Sequence, residues 1–339
     1  MAIAKELPVV DVIIPTYNGL PFLEATVQSV LGQTYKNLEL YVVDDGSTDH
    51  GATRRYITSV KDKRLHYLKK TNGGQATARN FGIKNSSSPL IAFLDADDIW
   101  YPEKLEKQVA LMEKNSQVGL VYGHHYIIDE DDIIQGNLRH WKRGKIFNDL
   151  CGGNLIAGSA SMALVRRNVI DDVGLFHEDF LIGEDWEMWL RIAYKYEVDF
   201  VPIIIAALRQ HTNSMQKNSK KMSDGLVYML GIMEKEFALT RPQRRVMAAY
   251  CLYHAAVGYQ AAGYRGLARK TFLRLFTEDP RRFFEFDHWK LHLGFGIYTR
   301  VIFGNPLFDL LHYIYRRLLR AAYIGVRAIY RFTLKPLLK

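Results

Sequence analysis

The first 120 residues alternate strand-like and helix-like segments, and three of the strands end in polar clusters. Runs rich in Val, Ile and Leu occupy 9–15, 38–43 and 90–94. The spacing of apolar residues over 21–31 and 74–84 predicts helices between them. Strands that alternate with helices in this way predict a mostly parallel sheet. Ligands of such sheets bind at the carboxyl ends of the strands, so the polar clusters there are the first candidates for a site.

Composition and charge exclude several classes of protein. The 339 residues are 48% hydrophobic and 24% charged, which excludes disorder, collagen and coiled coil. The two cysteines, Cys151 and Cys251, form no CxxC pair, so neither a disulfide framework nor a zinc-cysteine site is predicted, and a reducing cytoplasm is favoured. No secretory signal and no apolar run of about 20 residues occurs, so no transmembrane helix is predicted.

The sequence Asp95-Ala96-Asp97 follows the apolar strand 90–94. Two carboxylates two residues apart on a strand end point the same way, so they can share one Mg²⁺ or Mn²⁺ ion that keeps open positions for phosphate oxygens. The alternative is that Asp97 or Asp98 caps the helix that begins near Pro102. The motif by itself leaves both interpretations open.

Two further clusters lie at the same predicted edge of the sheet. Asp44-Asp45 follows the second strand and suits a hydrogen bond from a nucleobase N–H or a ribose hydroxyl, or else an Asx turn that caps the next helix. Gly73-Gly74 begins a predicted helix whose amides suit an anion, with Arg79 within reach of a phosphate. An ordinary glycine-led turn with a surface arginine is the alternative there.

Two polar groups in the second half of the chain offer acid–base and metal chemistry. Glu184-Asp185 begins a predicted helix over 183–196, where a carboxylate stays ionised and suits a general base, although a plain N-cap is the simpler interpretation. Arg209-Gln210-His211 follows a predicted strand over 198–208. The arginine there can meet a diphosphate and a neutral imidazole can complete a metal site, although a structural histidine is the simpler interpretation.

Six blocks occur in one order along the chain between Val10 and Met215. They are VDVIIPTYNG (10–19), SVLGQTYKNLELYVVDDGSTD (29–49), NGGQATARNFGI (72–83), IAFLDADDIWYPEKL (91–105), VGLFHEDFLIGEDWEMWLRIA (173–193) and LRQHTNSM (208–215). Together they resemble the inverting family-2 nucleotide-sugar glycosyltransferases of the GT-A fold, of the type that makes bacterial surface polysaccharides. The resemblance implies an α/β fold with a Rossmann-like mixed sheet, followed by an α-helical C-terminal region.

The resemblance also implies a reaction and a role for each candidate residue. A sugar would pass from a nucleotide-diphosphate donor, a UDP-sugar in the first place, to a hydroxyl of a glycan or lipid-linked acceptor in cell-envelope polysaccharide synthesis. Asp185 would be the general base, supported by Glu184, and Mg²⁺ or Mn²⁺ would be held by Asp97 and Asp95 with His211 as a possible third ligand. The residues implied at the nucleotide are Pro15, Tyr17, Asn18, Asp45, Gly74, Arg79, Asp95 and Arg209.

The positive charge of the chain is concentrated at its C-terminal end. Residues 281–339 carry a net charge of +8 out of a total of +9, and residues 310–339 contain no acidic residue. Arg316, Arg320, Arg327 and Arg331 fall within about 60° of one another on a helix. A basic stripe beside apolar and aromatic residues is typical of a helix in an anionic membrane interface, although a helix packed on the catalytic domain is the alternative.

These observations predict three segments: a GT-A catalytic domain over 1–215, a helical cap with one helical hairpin over 216–280, and a basic membrane-associating tail over 281–339. The predicted location is cytoplasmic and peripheral, on the inner face of the cell membrane. Two alternatives share the sheet and its aspartates: an inactive glycosyltransferase-like binding protein and a sugar-nucleotide nucleotidyltransferase. The glycine-rich loop that the second would need is replaced by PTYNG, and a nucleic-acid partner is not expected because no nucleic-acid-binding module is present.

Overall fold

The computed structural model describes residues 7–139, 141–156, 159–180, 182–211 and 218–278. Its strands are β1 (Val10–Thr16), β2 (Leu38–Asp44), β3 (Leu65–Lys69), β4 (Leu90–Phe93), β5 (Ile99–Trp100), β6 (Val118–Ile128), β7 (Ile134–Leu138), β8 (Leu164–Arg166) and β9 (Glu197–Arg209). Its helices are α1 (Leu20–Leu31), α2 (Ala52–Ser59), α3 (Gln75–Lys84), α4 (Lys104–Lys114), α5 (Phe147–Leu150), α6 (Arg167–Val173), α7 (Glu184–Lys195), α8 (Ser219–Glu236), α9 (Arg241–Ala261) and α10 (Arg265–Glu278). A short 3-10 helix covers Ala160–Met162.

The strands form one mixed sheet in the order β3-β2-β1-β4-β8-β6-β9-β5, and β7 pairs with β6. The strands β3, β2, β1 and β4 are parallel to one another, while β8 runs antiparallel to both β4 and β6. Every residue of β1 and β4 is buried, and their side chains are apolar except for Asp11 and Thr16 of β1. Such mostly apolar runs are typical of parallel strands that are covered on both faces.

The register of the parallel strands aligns their carboxyl ends. Thr16 at the end of β1 lies opposite Asp44 at the end of β2, and Ile13 lies opposite Phe93 at the end of β4. The amide of Asp45 also donates to the carbonyl of Thr16 over 2.8 Å. The segments that follow these three strands therefore meet at one edge of the sheet, which is the location predicted for the site.

The second half of the sheet depends on long-range pairing. The strand β6 runs parallel to β9, with which it makes contact along its whole length. The loop of residues 129–133 turns β6 back into the antiparallel strand β7. The predicted mixed sheet followed by a helical C-terminal region is confirmed.

Helices α8, α9 and α10 follow the sheet. The chain divides into two compact units at 247/248, later than the boundary predicted after residue 215, which falls in the undescribed stretch 212–217. The helix α8 groups with the first unit because Met229, Leu230 and Met233 are buried there. In the second unit, the end of α9 and α10 flank a turn at Gly263, whose φ of 82° favours glycine. The helical hairpin expected within 216–280 stays a prediction.

The described residues contain no helix that combines the length and the hydropathy of a membrane span. The predicted basic tail, residues 281–339 with the arginine stripe of 310–339, lies outside the described residues.

Candidate active site

Asp45 is held by the loop that precedes α3. Its carboxylate accepts hydrogen bonds from the backbone amides of Gly73 and Gly74, the shortest at 2.7 Å, and from the Lys70 ammonium at 2.6 Å. The Gly74 φ of 93° lies in the region that favours glycine and lets this amide turn toward the carboxylate. The anion on the two glycine amides is therefore Asp45 itself, and the predicted phosphate site at these amides is wrong for the chain in this conformation.

The loop after β1 is fixed to the loop after β2. The Asn18 backbone amide donates to the Ser47 hydroxyl, and its side-chain oxygen accepts from the Thr48 amide over 2.9 Å. Asn18 has a positive φ of 51°, which places Tyr17 on the surface with half of its side chain exposed. Pro15 lies in β1 opposite Val43. Tyr17 and Asp45 directly follow the paired ends of β1 and β2, so an exposed aromatic residue and a buried carboxylate follow neighbouring strands at the same edge of the sheet.

A buried arginine joins the two carboxylate motifs of the site. The guanidinium of Arg79, which is 1% exposed, donates to Asp95 Oδ1 and to Glu184 Oε1, each at 2.6 Å. The strand β4 thus meets the N-terminus of α7 through one side chain of α3. The alternative of an ordinary surface arginine is therefore wrong. A bond from Arg79 to a phosphate stays a prediction, and it would require an exchange of contacts because carboxylates engage both Nη atoms, while Nε is buried without a partner among the described residues.

Asp185 is the second carboxylate at the N-terminus of α7, and it has a different environment. One of its oxygens accepts from the Trp186 amide and the other lies 3.4 Å from the Asn154 side-chain nitrogen. Burial, followed by the neighbouring Glu184 carboxylate, raises the pKa of Asp185 to about 7, and Arg79 opposes this rise. A carboxylate with a pKa near the working pH suits proton abstraction, whereas Glu184 is ion-paired with Arg79.

Asp97 and His211 form the part of the site that suits a cation. Asp97 Oδ2 lies 3.0 Å from His211 Nε2, and both side chains are partly exposed. Burial and the nearby Asp95 carboxylate raise the pKa of Asp97, so a positive charge here would stabilise its ionised form. The structure brings these two predicted ligands together.

Asp95 does not complete this pair. The strand β4 ends at Phe93, and the Asp98 amide closes a turn on the Asp95 carbonyl over 3.1 Å, so the strand alternation used to predict a shared cation does not apply. The two Asp95 oxygens are engaged by Arg79 and by the Ser159 hydroxyl. Within the described ranges, a cluster of three ligand side chains occurs elsewhere, at His177, Glu187 and Glu236, where the Arg191 guanidinium already holds both Glu187 oxygens.

Each nitrogen of the Arg209 guanidinium donates a hydrogen bond to a protein group. Its Nε donates to the Asp97 carbonyl, Nη1 to the carbonyls of Asp129 and Glu130, and Nη2 to the Asp132 carboxylate at 2.7 Å. Its guanidinium also lies over the Phe22 ring, 4.6 Å from the centroid. The structure assigns it to joining the Asp97 turn to the β6–β7 turn, and a bond to a diphosphate would require an exchange of these contacts.

The sequence analysis missed a buried serine cluster around Asp98. Ser161 Oγ donates to Asp98 Oδ2, and Asp98 Oδ1 accepts from the Arg209 amide. The Ser161 hydroxyl also accepts from the Asp95 amide, and Ser159 bonds to Ser161. Asp98 therefore fixes the turn rather than capping α4, whose N-cap has no side-chain hydrogen bond. The serines two residues apart in the glycine-rich segment before β8 were the only sequence signal for this cluster.

Comparison with known sequences places the chain in a recognised group. The family model described as Glycosyl transferase family 2 matches residues 11–174. The UDP-Glc:alpha-D-GlcNAc-diphosphoundecaprenol beta-1,3-glucosyltransferase WfgD of Escherichia coli is 42% identical over 186 residues, which cover 54% of this chain and 69% of that protein. The uncharacterized glycosyltransferase RC0461 of Rickettsia conorii is 35% identical over 63% of this chain, and the match covers about a third (36%) of that longer protein.

Solved structures share the fold. The S. aureus TarS fragment 1–349 in complex with UDP-GlcNAc has a TM-score of 0.63 at 15% identity, with 91% of each chain covered. The mannosyltransferase PcManGT of Pyrobaculum calidifontis, solved with GDP-Man and Mn²⁺, has a TM-score of 0.57 at 17% identity and covers 95% of this chain and 88% of that one. At these identities the likeness establishes the GT-A architecture.

Proposed function

Given that this chain belongs to glycosyltransferase family 2, we propose that it transfers a sugar from a nucleoside-diphosphate donor to an acceptor hydroxyl, with inversion at the anomeric carbon. The observation that carries the proposal is the Asp95–Arg79–Glu184 bridge. It brings the turn with Asp97 next to the helix that presents Asp185. A cation-binding carboxylate and a base with a pKa of about 7 therefore belong to one site.

The donor in this proposal is a UDP-sugar, with UDP-glucose first. Support comes from the activity for which WfgD is named and from the UDP-GlcNAc complex of the TarS fragment. In this chain the exposed Tyr17 ring would stack on the base. The Asp45 carboxylate would accept from the imide N–H of a uracil, provided that it exchanges one of its present bonds to Lys70 or the glycine amides.

The residues present fit a divalent cation at Asp97 and His211. A carboxylate oxygen and an imidazole nitrogen are both suitable ligands for Mg²⁺ or Mn²⁺, and Asp97 Oδ2 lies 3.0 Å from His211 Nε2. A bound Mg²⁺ or Mn²⁺ ion would neutralise the charge of the departing diphosphate. Asp95 would act beside it by holding Arg79 in place rather than as a ligand in the present arrangement.

Asp185 would remove the proton from the acceptor hydroxyl. As the hydroxyl oxygen bonds to the anomeric carbon, its proton passes to Asp185 and the bond from that carbon to the diphosphate oxygen breaks, which inverts the centre in a single displacement. Glu184 would hold Arg79 and raise the pKa of Asp185 by its charge. It is thereby a positioning residue, and Asp185 the catalytic base.

The acceptor in this proposal is a lipid-linked glycan of the cell envelope. WfgD acts, by its name, on a diphosphoundecaprenol-linked GlcNAc, an acceptor that resides in a membrane. We further propose a cytoplasmic enzyme that binds the inner face of the membrane peripherally through residues 310–339, which carry no acidic residue. Removal of 310–339 should then release the chain from anionic vesicles, and undiminished sedimentation with them would contradict this part.

Calorimetric titration with UDP, dTDP and GDP, each with and without Mn²⁺, tests the donor and the cation. We expect Mn²⁺-dependent binding of UDP, and a folded chain that binds none of the three would contradict the proposal. Asp185→Asn should bind UDP as the unmodified chain does but fail to transfer glucose from UDP-glucose to a lipid-diphosphate-linked GlcNAc. Asp171→Asn, an exposed aspartate on α6, is the matched control. Retained turnover in Asp185→Asn would show that another group is the base.

A further inference from the structure

The segment that follows β7 exposes large apolar and basic side chains together. We call Leu138, Arg139, Trp141, Lys142, Arg143 and Lys145 the 138–145 strap. Trp141 is 71% exposed and Leu138 is 44% exposed. Residues 133–148 contain four basic residues and no acidic residue. Exposed Leu138 and Trp141 close together in sequence, next to basic residues, make this segment a candidate contact surface.

The backbone of the strap is hydrogen-bonded to the sheet at Lys142 and Gly144, and the large side chains named above are exposed. The Tyr122 hydroxyl donates to the Lys142 carbonyl over 2.8 Å, and Gly144 exchanges two backbone hydrogen bonds with Val198 in β9. The Arg143 guanidinium lies 4.6 Å from the centroid of the Phe200 ring. Because this backbone is already ordered, the conformational entropy lost when the strap binds a partner is small.

Two of the basic side chains of the strap are paired with carboxylates, and two are not paired with any described carboxylate. Lys142 is paired with Asp149 at 2.6 Å, and Arg143 lies 3.4 Å from Asp199. Arg139 and Lys145 are exposed and form no ion pair within the described part of the chain. These two side chains, on either side of Trp141, are available to anionic groups.

The strap is joined to the site by the hairpin of β6 and β7. The acidic turn at the other end of β7 is bound by Arg209, whose guanidinium contacts both the Asp132 carboxylate and the Asp97 carbonyl. The five residues of β7 separate the two ends by about 17 Å. One end of the hairpin thus touches the candidate cation site, and the other end carries the strap.

We propose that the 138–145 strap is a membrane-contact surface that inserts Trp141 into the interface of an anionic bilayer, with Arg139 and Lys145 at the lipid phosphates. Tryptophan is the residue that prefers this interface, and lysine or arginine beside it binds the negative surface. This inference rests on the proposed function for its purpose, which is to hold the site near a lipid-linked acceptor. It is separate from any contact made by residues 310–339.

Quenching of Trp141 by lipid tests the surface directly in the full chain. Trp100, Trp186 and Trp189 are buried, and Trp289, which lies outside the described residues, is replaced by phenylalanine. Vesicles of phosphatidylcholine and phosphatidylglycerol with brominated acyl chains should then quench the fluorescence of Trp141, relative to the same vesicles without bromine. Sedimentation with vesicles and no quenching of Trp141 would overturn the proposal.

Charge variants give an independent measurement. Arg139→Gln combined with Lys145→Gln should weaken binding to these vesicles about 30-fold, or about fivefold for each basic side chain. Lys61→Gln combined with Lys63→Gln, which removes two exposed lysines of the α2–β3 loop, is the matched control and should leave binding unchanged. Equal weakening in both double variants, or Trp141 shielded by self-association without lipid, would overturn the proposal.

A glucose-transfer assay with a water-soluble acceptor analogue distinguishes a failure of the proposed membrane surface from a failure of the proposed function. If glucose transfer occurs in solution but Trp141 is not quenched, the membrane surface is wrong and the proposed function stands. If Trp141 is quenched but no sugar is transferred from any of the donors, the proposed function is wrong and the surface stands.

Discussion

Replacing Glu184 by glutamine should move the acidic limb of the pH–rate profile to lower pH. Burial is the main reason that the pKa of Asp185 is raised to about 7, and the Glu184 carboxylate is the next. Glutamine removes this negative charge but keeps an oxygen that can accept from Arg79. The Arg79 charge, which lowers the pKa of Asp185, is then less compensated, so Asp185 loses its proton at lower pH.

The size of the change follows from the charges involved. Two unit charges about 6 Å apart at an effective dielectric constant of about 20 interact by about 2.8 kcal/mol, which corresponds to about 2 pKa units. At an effective dielectric constant of about 40, nearer to that of solvent, the same two charges interact by half as much. We therefore expect a downward shift of about 1 unit, which raises the ionised fraction of Asp185 at about pH 6 roughly fivefold. The part of the pKa increase of Asp185 that burial causes remains in the variant.

The assay is the pH dependence of kcat/KM for transfer from UDP-glucose, measured between about pH 5 and 9. The limb should move in Glu184→Gln and stay in place in Glu103→Gln, which changes an exposed carboxylate next to α4. A limb at the same pH in Glu184→Gln and in the unmodified chain would refute the reasoning, because the titrating group would then not sense Glu184. A shift to higher pH would refute it as well.

Three further substitutions follow from the same contacts. Arg79→Met should lower the free energy of unfolding by about 3–5 kcal/mol in urea titrations, because it leaves two carboxylates without their shared cation, whereas the exposed Arg54→Met should change it little. Burial raises the pKa of Asp98 well above its usual range, so its contribution to stability is present at low pH and is lost as the pH rises through this raised pKa. Asp98→Asn should remove this decline and remain folded, while Asp98→Ala should cost about 1–3 kcal/mol because buried donors lose their acceptor. Asp97→Asn should abolish the Mn²⁺ dependence of UDP binding measured by calorimetry, with Asp131→Asn as an exposed control that retains it.

The local pattern of the sequence predicts the first half of the sheet well. The helix predicted over 21–31 is Leu20–Leu31, and the strand predicted over 38–43 is Leu38–Asp44. These elements have clear apolar periodicity and end in glycine, proline or aspartate. The strand β6 was not predicted, because its pairing with β9 joins residues about 80 positions apart that share no local signal.

The sequence identifies the residues of the candidate site but not the contacts between them. The motifs identify Asp95, Asp97, Asp185 and His211 as chemically useful residues, and the structure gathers their segments at one edge of the sheet. Sequence spacing could not show that Arg79 is buried between two carboxylates. That arrangement depends on the desolvation and geometry of three segments that meet only in the folded chain.

The contacts of Arg209 constrain how the hairpin can be exchanged between relatives. A graft that replaces residues 129–145 to alter acceptor preference would remove the Asp132 carboxylate and change the turn that positions the two backbone carbonyls that this guanidinium binds. The buried Arg209 guanidinium would then lack its anionic partner next to the Asp97 carbonyl. We therefore expect the chimera to lose donor binding as well as its original acceptor preference. Chimeras should therefore retain the segment 129–132 of the recipient and exchange only the residues that follow it.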